Sequence, residues 1–364
     1  MHKSFSQKNI YPELLKFIRN RKPCTLCTVT KIKGSAPQIP GSSAIFNETG
    51  LVAGTVGGGI SEATVQKKAI AALRSGDSVQ LLFNLDHEIS NTEEAICGGK
   101  MNVVVDASPE KHAEAFKAME RSLQDRIPGV LMTICRTVGS GKSFLERFWV
   151  TDENLQNFVS VLNPEEGKRL SGMVKSPVRD EFAAIERNDE KENMQESIFL
   201  EAVIPLPRLI IAGAGHIGRA LSHFGTILDF EVTIWDDRTE IANKESVPDA
   251  HEILNGGLEE SLGRINVDDS TYLVIVTRGH KQDADVLKMF INSPIAYIGM
   301  IGSKRKVQQM RNKFLAEEWA TEEQWGNIHA PIGLAIQSKT VQEIAVSIAA
   351  QLILARSQKN RKDG

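Results

Sequence analysis

The chain is poor in the residues that would tie it to an oxidising compartment, a membrane or a nucleic acid. Its four cysteines, Cys24, Cys27, Cys97 and Cys135, are too few and too scattered across 364 residues for a disulfide framework, so they read as reduced thiols. No apolar run approaches the ~20 residues of a membrane-spanning helix. The opening MHKSFSQKNI lacks the apolar core of a secretion signal, so a cytoplasmic location is expected. Charge of one sign is missing too. With 43 lysines and arginines against 46 aspartates and glutamates, the net charge of −3 offers no general attraction to nucleic acid or an anionic membrane. Neither an internal repeat nor a low-complexity tract is present.

What is there is ordinary globular material, 41% apolar and 24% charged, in a chain longer than one core organises. The stretch DEFAAIERNDEKENMQE, residues 180–196, is rich in charge and reads as an exposed connector or surface helix at about 180–197. The boundary is placed near Leu206, which separates an N-terminal mixed α+β domain, 1–205, from a C-terminal α/β domain, 206–364.

The second domain reads more directly. PRLIIAGAGHIGRALSHFGTILDFEVTIWDDR contains a short strand at 209–212, then Gly213, Gly215 and Gly218 in G-x-G-x-x-G spacing, a helix, and a second strand at 231–237. In that context the glycines serve a tight turn, an open approach to the helix start and close helix-to-strand packing. Asp236, about 20 residues on, stands where a ribose hydroxyl would be held. His216 would crowd a pyrophosphate in its usual pose, and Arg238 beside Asp236 and Asp237 mixes the signal between the two nicotinamide cofactors. TYLVIVTRGH (271–280) and SPIAYIGMIGS (293–303) read as buried strands, separated by a helix carrying Val286, Leu287, Met289 and Phe290. The last helix opens with Thr340 and Glu343 in capping-box spacing and carries Val341, Ile344, Ala345, Ile348 and Leu352 as an apolar stripe. This alternation predicts a doubly wound parallel sheet with its ligand beyond the carboxyl ends of the strands, at loops 213–218, 236–238, 277–283 and 299–306. In the last loop Gly302, Ser303, Lys304, Arg305 and Lys306 form either a phosphate site or a solvated basic helix start.

The first domain holds less familiar material. An amphipathic helix around Tyr11 to Arg19 precedes the strand-like CTLCTVTKI, 24–32. Cys24 and Cys27 lie at i and i+3, on opposite faces of an extended strand, and no second pair completes a zinc site, so they read as small buried residues. KGSAPQIPGSS, 33–43, is a stiff loop rich in donors. GTVGGGISEA, 54–63, puts Gly57, Gly58 and Gly59 before a helix over 60–74; such bare backbone suits either a tight turn or the close approach of an anion to a helix start. Glu62 in the first turn would complement the helix dipole. In NTEEAICGGKMNVVVD, Cys97 precedes Gly98 and Gly99 just before a strand, a setting that makes it either an accessible thiol or a buried one.

GSAPQIPGSS, GTVGGGISEA and ICGGKMNVVVD in the first half, with IIAGAGHIGRAL, IGMIGSKRK and PIGLAIQSKTVQEIAVSIAAQLI in the second, resemble the XdhC/CoxI family of molybdoenzyme accessory proteins. The six motifs stand in the family's order and cover nearly the whole chain. The family usually has a His-Gly-His-type loop where this chain reads Thr277-Arg278-Gly279-His280, so only the second histidine is kept.

The resemblance implies a Rossmann-like C-terminal domain and a chaperone rather than a metabolic enzyme. Such a protein would bind the molybdenum cofactor (molybdopterin) transiently, assist its sulfuration with a cysteine desulfurase, and deliver it to a xanthine-dehydrogenase-type apoenzyme. The cofactor-binding candidates are then Gly34, Ser35, Gly41, Gly57, Gly58, Gly59, Glu62, Cys97, Gly98 and Gly99 in the first half. In the second they are Gly213, Gly215, His216, Gly218, Asp236, His280, Gly302, Ser303, Lys304 and Arg305. Cys97 is the candidate soft contact for molybdenum. Main-chain donors from both halves are expected to meet one phosphorylated ligand in a cleft between them, and a homodimer is expected. Two alternatives stand beside this reading: an NAD(P)-dependent oxidoreductase using the second half, and a structural subunit of a dehydrogenase complex.

Overall fold

Strands that alternate in what their two faces bury build the first of two compact units, which divide between Pro205 and Leu206. The computed structural model describes residues 10–34, 36, 38–84, 99–139, 141–189 and 194–363. The chain runs through α1 (Tyr11–Arg19), β1 (Thr25–Gly34), β2 (Ser43–Asn47), β3 (Gly50–Gly54), α2 (Gly59–Ser75), β4 (Ser78–Asn84) and β5 (Gly99–Asp106). It continues with α3 (Ala113–Gln124), β6 (Gly129–Val138), β7 (Lys142–Val150), α4 (Leu155–Val159), α5 (Pro164–Lys175), β8 (Phe182–Asp189) and β9 (Met194–Val203).

The strands form one nine-stranded sheet in the order β3-β2-β1-β5-β4-β7-β6-β9-β8, antiparallel throughout. Where β4 meets β7 only two residue pairs are joined, Ser78 with Ser143 and Val79 with Lys142. There the sheet curls, and β8 comes back over β1: Lys31 Nζ lies 2.7 Å from Glu186 Oε1, and a Cβ on Gly41 would sit 3.2 Å from the Phe182 ring. Inside the roll, Val104 of β5, Cys135 of β6, Phe199 of β9, Leu145 and Phe182 pack together. Outside it, α2 covers Cys27, Val29, Val103 and Val105, and α5 covers Val130, Met132, Ile198 and Leu200. Leu14 and Leu15 of α1 and Phe116 and Met119 of α3 close over Leu26, Leu131 and Trp149.

Because both faces of the sheet are covered, Cys24 and Cys27 are buried on opposite sides, in separate clusters. Burial lifts the Cys24 thiol to about 12 and pushes Cys27 higher still. Both are inert small apolar residues, as their spacing predicted.

The charged stretch read as a connector at 180–197 is instead the β8–β9 hairpin, paired from Phe182 with Glu201 to Asp189 with Met194. Among its described residues, ion pairs hold several of the charges. Arg187 reaches Glu166 on α5, and its Nη1 lies 2.9 Å from Glu196 Oε1. Ala183 and Ile185 on the same face pack on the α5 cluster. Period-two alternation and cross-strand ion pairs override composition here.

The second unit contains β10 (Arg208–Ala212), α6 (His216–Ile227), β11 (Glu231–Asp236), β12 (Glu252–Asn255), α7 (Leu258–Ser261), β13 (Thr271–Ile275), α8 (His280–Phe290) and β14 (Tyr297–Met300). It ends with α9 (Lys304–Ala316), α10 (Glu322–Gly326), β15 (Ile328–His329) and α11 (Val341–Asp363). The six strands are parallel in the order β12-β11-β10-β13-β14-β15. Numbered within the unit this is 3-2-1-4-5-6, the doubly wound order of the Rossmann fold. Leu209 and Ile211 of β10 face α6 and α11, while Ile210 and Ala212 face α8 and α9. Covered on both sides, the strands read as unbroken apolar runs. The expected capping box starts α11, with the Glu343 N–H donating to Thr340 Oγ1 at 3.2 Å and the Thr340 N–H to Glu343 Oε2 at 3.0 Å.

Candidate functional site

At the carboxyl edge of the parallel sheet, the neighbouring strands β10, β13 and β14 each run into a helix start: Gly215 caps α6, Gly279 caps α8 and Ser303 caps α9. The positive ends of three helices therefore lie side by side. His216, His280, Ser303, Lys304 and Arg305 are all exposed on this edge. The Ser303 hydroxyl accepts the Lys306 N–H at 3.4 Å.

The three motif glycines have different jobs. A Cβ on Gly213, whose φ is +121°, would lie 2.3 Å from the Val276 carbonyl oxygen, and one on Gly218 would lie 1.8 Å from the Gly213 carbonyl oxygen. Gly218 is required by the turn itself, and Gly213 by its positive φ and by the end of the neighbouring strand β13. Around the Cβ position of Gly215 nothing lies within 4 Å, so this is the glycine that leaves the helix start open to a ligand.

Asp236 is engaged within the protein. Its Oδ2 accepts the Ala214 N–H at 2.9 Å and Arg238 Nη2 at 3.0 Å. Its Oδ1 accepts the Arg238 N–H at 3.1 Å and Nε at 2.8 Å. Burial alone would raise this carboxyl, but the hydrogen bonds from Arg238 and Ala214 outweigh it and hold it below the ordinary carboxylate range. A ribose hydroxyl would have to displace one of these donors; in this arrangement Asp236 ties the glycine turn to the end of β11.

Two residues of the expected ligand loops 236–238 and 277–283 span the point where strand order reverses. Arg278 follows β13 and Asp237 follows β11, on either side of the β10 loop, and their side chains meet at 3.2 Å. The loop beneath is organised by buried Asp283, which accepts the Thr277 hydroxyl at 2.6 Å and the Thr277 N–H at 3.2 Å. Burial raises the Asp283 carboxyl, and Thr277 partly offsets that. The loops were marked by the ends of their strands, but the contact was not, because Arg278 and Asp237 become neighbours only through the strand order.

In the N-terminal unit, Gly34 ends β1 opposite Gly99, the first residue of β5. The N–H of Gly41 donates to the Val29 carbonyl at 2.8 Å and closes the loop that enters β2. From β3 the chain passes through Thr55 to the triple glycine. The Gly57 N–H is taken by Thr55 Oγ1 at 3.2 Å, and the Thr55 hydroxyl also lies 2.7 Å from Glu62 Oε2. Gly58 and Gly59 have nothing within 4 Å of their Cβ positions, so the start of α2 is open. Ser35, Cys97 and Gly98 lie outside the described residues. Among the described residues, no group of three or more His, Cys, Asp or Glu side chains could hold a metal ion, and no helix is long and apolar enough to cross a membrane.

The geometry thus defines a two-unit protein that joins a rolled antiparallel sheet to a Rossmann-type parallel sheet. Residues 17–84 match the XdhC and CoxI family, and residues 209–352 match the XdhC Rossmann domain. The chain belongs to the XdhC/CoxI family. It is 21% identical over 357 residues to a probable xanthine dehydrogenase subunit of Bacillus subtilis (strain 168), covering 96% of this chain and 98% of that relative. It is 32% identical over 165 residues to the uncharacterized protein YqeB of Escherichia coli (strain K12), which is 44% of this chain and spans only 29% of that relative. The crystal structure of a xanthine dehydrogenase from Bacillus halodurans has the same fold, with a TM-score of 0.71 at 21% identity over 96% of each chain.

Proposed function

We propose that this protein is an accessory factor for a xanthine-dehydrogenase-type enzyme, and that it binds the molybdenum cofactor transiently, assists its sulfuration by a cysteine desulfurase and passes it to the apoenzyme. The observation that carries the reading is the pair of open glycine-built helix starts, at Gly58 and Gly59 on α2 and at Gly215 on α6, in a chain carrying both family domains. The fit is one of donors: a phosphate accepts from main-chain N–H groups at a helix start and needs no side chain there. His216, His280, Lys304 and Arg305 add positive or proton-donating side chains around the second opening. When bound, the cofactor would bring the molybdenum chemistry; the chain's part is to hold the phosphate and shelter the pterin. Cys97 is the thiol assigned to the metal end, and the protein acts as a homodimer. The dinucleotide reading has less support, since the Asp236 carboxylate that would hold a ribose is already engaged by four N–H donors.

The test is the pterin content of protein made in a molybdate-fed host with intact pterin synthesis, measured by mass spectrometry and by the fluorescence of oxidised pterin. Gly58→Glu points a carboxylate into open space at an ordinary backbone conformation, φ −144°, so the fold is kept while a phosphate is repelled. The wild-type chain is expected to carry pterin, and the variant at least about tenfold less. Wild-type protein free of pterin, or equal pterin in the variant, overturns the reading.

A further inference from the structure

The two helix layers of the C-terminal unit show different surfaces to solvent. On one face of the sheet, α8 exposes Lys281, Asp285 and Lys288, and α9 exposes Lys304, Arg305 and Lys306. On the other face, α11 has no charged residue from Ile344 to Ala355. Its neighbour α6 has no lysine, aspartate or glutamate, and its one arginine, Arg219, turns its Nε to the Ala214 carbonyl at 3.1 Å.

Both helices of this second layer are apolar on the side turned away from the sheet as well as on the side packed against it. Ala345, Ile348, Ala349 and Leu352 form the buried inner side of α11. Its outer side carries Val346, Ala350, Ile353 and Leu354, at i, i+4, i+7 and i+8, and the three large side chains are 42%, 43% and 46% exposed. On α6, Ala220, Phe224 and Ile227 repeat the i, i+4, i+7 spacing, with Ile227 half-exposed. The helices run side by side: Arg356 Nη1 on α11 donates to the Leu228 carbonyl, just past α6, at 2.7 Å. Gln351 accepts the Tyr297 hydroxyl at 2.7 Å on the flank of α11 away from α6, so Val346 and Ile353, on the opposite flank, lie beside the α6 row. None of these outer residues belongs to the sites described above.

A helix that is apolar around its whole circumference is covered on every side, and a contiguous apolar patch marks a surface that another protein covers. The charges at the ends of the strip identify that protein. Glu343 stands just before the uncharged stretch of α11 and Arg356 just after it. A second copy related by a two-fold axis near Ala350 lays its α11 antiparallel on this one, so the acidic end of each helix meets the basic end of the other and the helix dipoles oppose. No charge meets its own copy at the axis. The small Ala350 lets the helices approach there. Val346 then lies over the partner's Leu354, since the two positions stand four residues to either side of the axis.

We propose that the outer face of α6 and α11 is the surface through which two copies of this chain pair, about a two-fold axis near Ala350. The proposal rests on the homodimer of the preceding reading for the existence of a pair, and needs nothing of the cofactor. Sedimentation of the full-length chain measures its mass against the 40.1 kDa of one copy. The wild-type chain is expected to sediment as two copies at micromolar concentration. Ile353→Glu, at a position already open to solvent, sets an unpaired carboxylate into each half of the contact. It should raise the Kd of the dimer at least about a hundredfold without lowering the melting midpoint. Leu82→Glu is the control, at a leucine of β4 that is 68% exposed, and should leave the dimer intact. Ala350→Cys changes one small side chain and should be bridged to its copy by a short bismaleimide far more than the wild-type chain, whose Cys24, Cys27 and Cys135 are buried. A wild-type chain that sediments as one copy overturns both this proposal and the homodimer, and leaves the face to a different protein. A dimer that survives Ile353→Glu, or is lost equally in Leu82→Glu, overturns the location alone. So does an Ala350→Cys chain that is bridged no better than the wild type. Pterin content decides the cofactor reading separately.

Discussion

The two units place their polar chemistry in opposite ways. In the parallel sheet of the C-terminal unit the strands bury apolar side chains on both faces, and the candidate groups stand at or beyond their carboxyl ends, Asp236 as the last residue of β11 and the others on loops and helix starts. In the antiparallel roll the charged groups Asp106, Arg147 and Glu201 sit within the strands themselves, on the inner face. A parallel sheet wrapped by helices has no wet face, so polar side chains are driven to its ends. A curled antiparallel sheet encloses an interior in which alternate residues need not be apolar, provided they are paired.

If that contrast is right, the C-terminal unit should fail through backbone and the N-terminal unit through charge. The largest effect is expected from Gly218→Ala, whose methyl would lie 1.8 Å from the Gly213 carbonyl oxygen. A loss of about 5 kcal/mol in chemical denaturation is the expected outcome. Gly215→Ala, with open space around it, should change stability by less than about 1 kcal/mol. Equal losses in the two variants would erase the distinction between a packing glycine and a ligand-facing one.

Next comes Arg147→Met, which strands Asp106, its buried ion-pair partner, as an unpaired charge and should cost about 3–4 kcal/mol. The double variant Arg147→Met, Asp106→Leu should recover most of that, since two apolar groups replace a buried pair at little cost. Failure to recover would show that the roll needs the ion pair for more than neutrality.

The smallest effect is a pH dependence. A Glu201 carboxyl raised by burial to about 7 keeps its proton in the folded state while the unfolded chain, with a carboxyl near the ordinary glutamate value, has already lost it. Its contribution therefore diminishes as pH rises from about 4.5 to 7, and is steady above and below that window. Because Glu201 is not fully buried, the loss is set at about 2 kcal/mol. Melting curves of the wild-type chain and Glu201→Gln should diverge across that range, with the variant gaining relative stability toward pH 7. Parallel curves would place Glu201 in water.

How much of this was legible varies with the range of the interactions involved. The G-x-G-x-x-G spacing of the β10–α6 turn, the α11 capping box and the split of Cys24 from Cys27 all follow from local geometry, although the crowding that makes Gly213 necessary comes from Val276 after β13. So does the α8 stripe of Val286, Leu287 and Phe290, which is buried as its spacing predicts. The β8–β9 hairpin was hidden by its charge, although Ala183, Ile185 and Arg187 alternate with Phe182, Ala184 and Glu186 as a strand requires. Arg147 carried a faint signal as the odd member of an inward series with Ser143, Leu145 and Trp149. The two-residue strand β15 has no period to read.

The order of the amino acids by itself determined the family, the parallel α/β character of the second unit and the glycine turns, because local sterics and hydrophobic periodicity decide them. Only tertiary structure decided that Asp236 holds the Ala214 N–H, that Arg278 meets Asp237 across the strand-order reversal, and that Tyr11 reaches Glu201. Those groups stand 22 to 190 residues apart in the most distant hydrogen-bonded pairs, Ala214 with Asp236 and Tyr11 with Glu201. No local rule reaches so far; they meet because the strands curl or cross over before they pair.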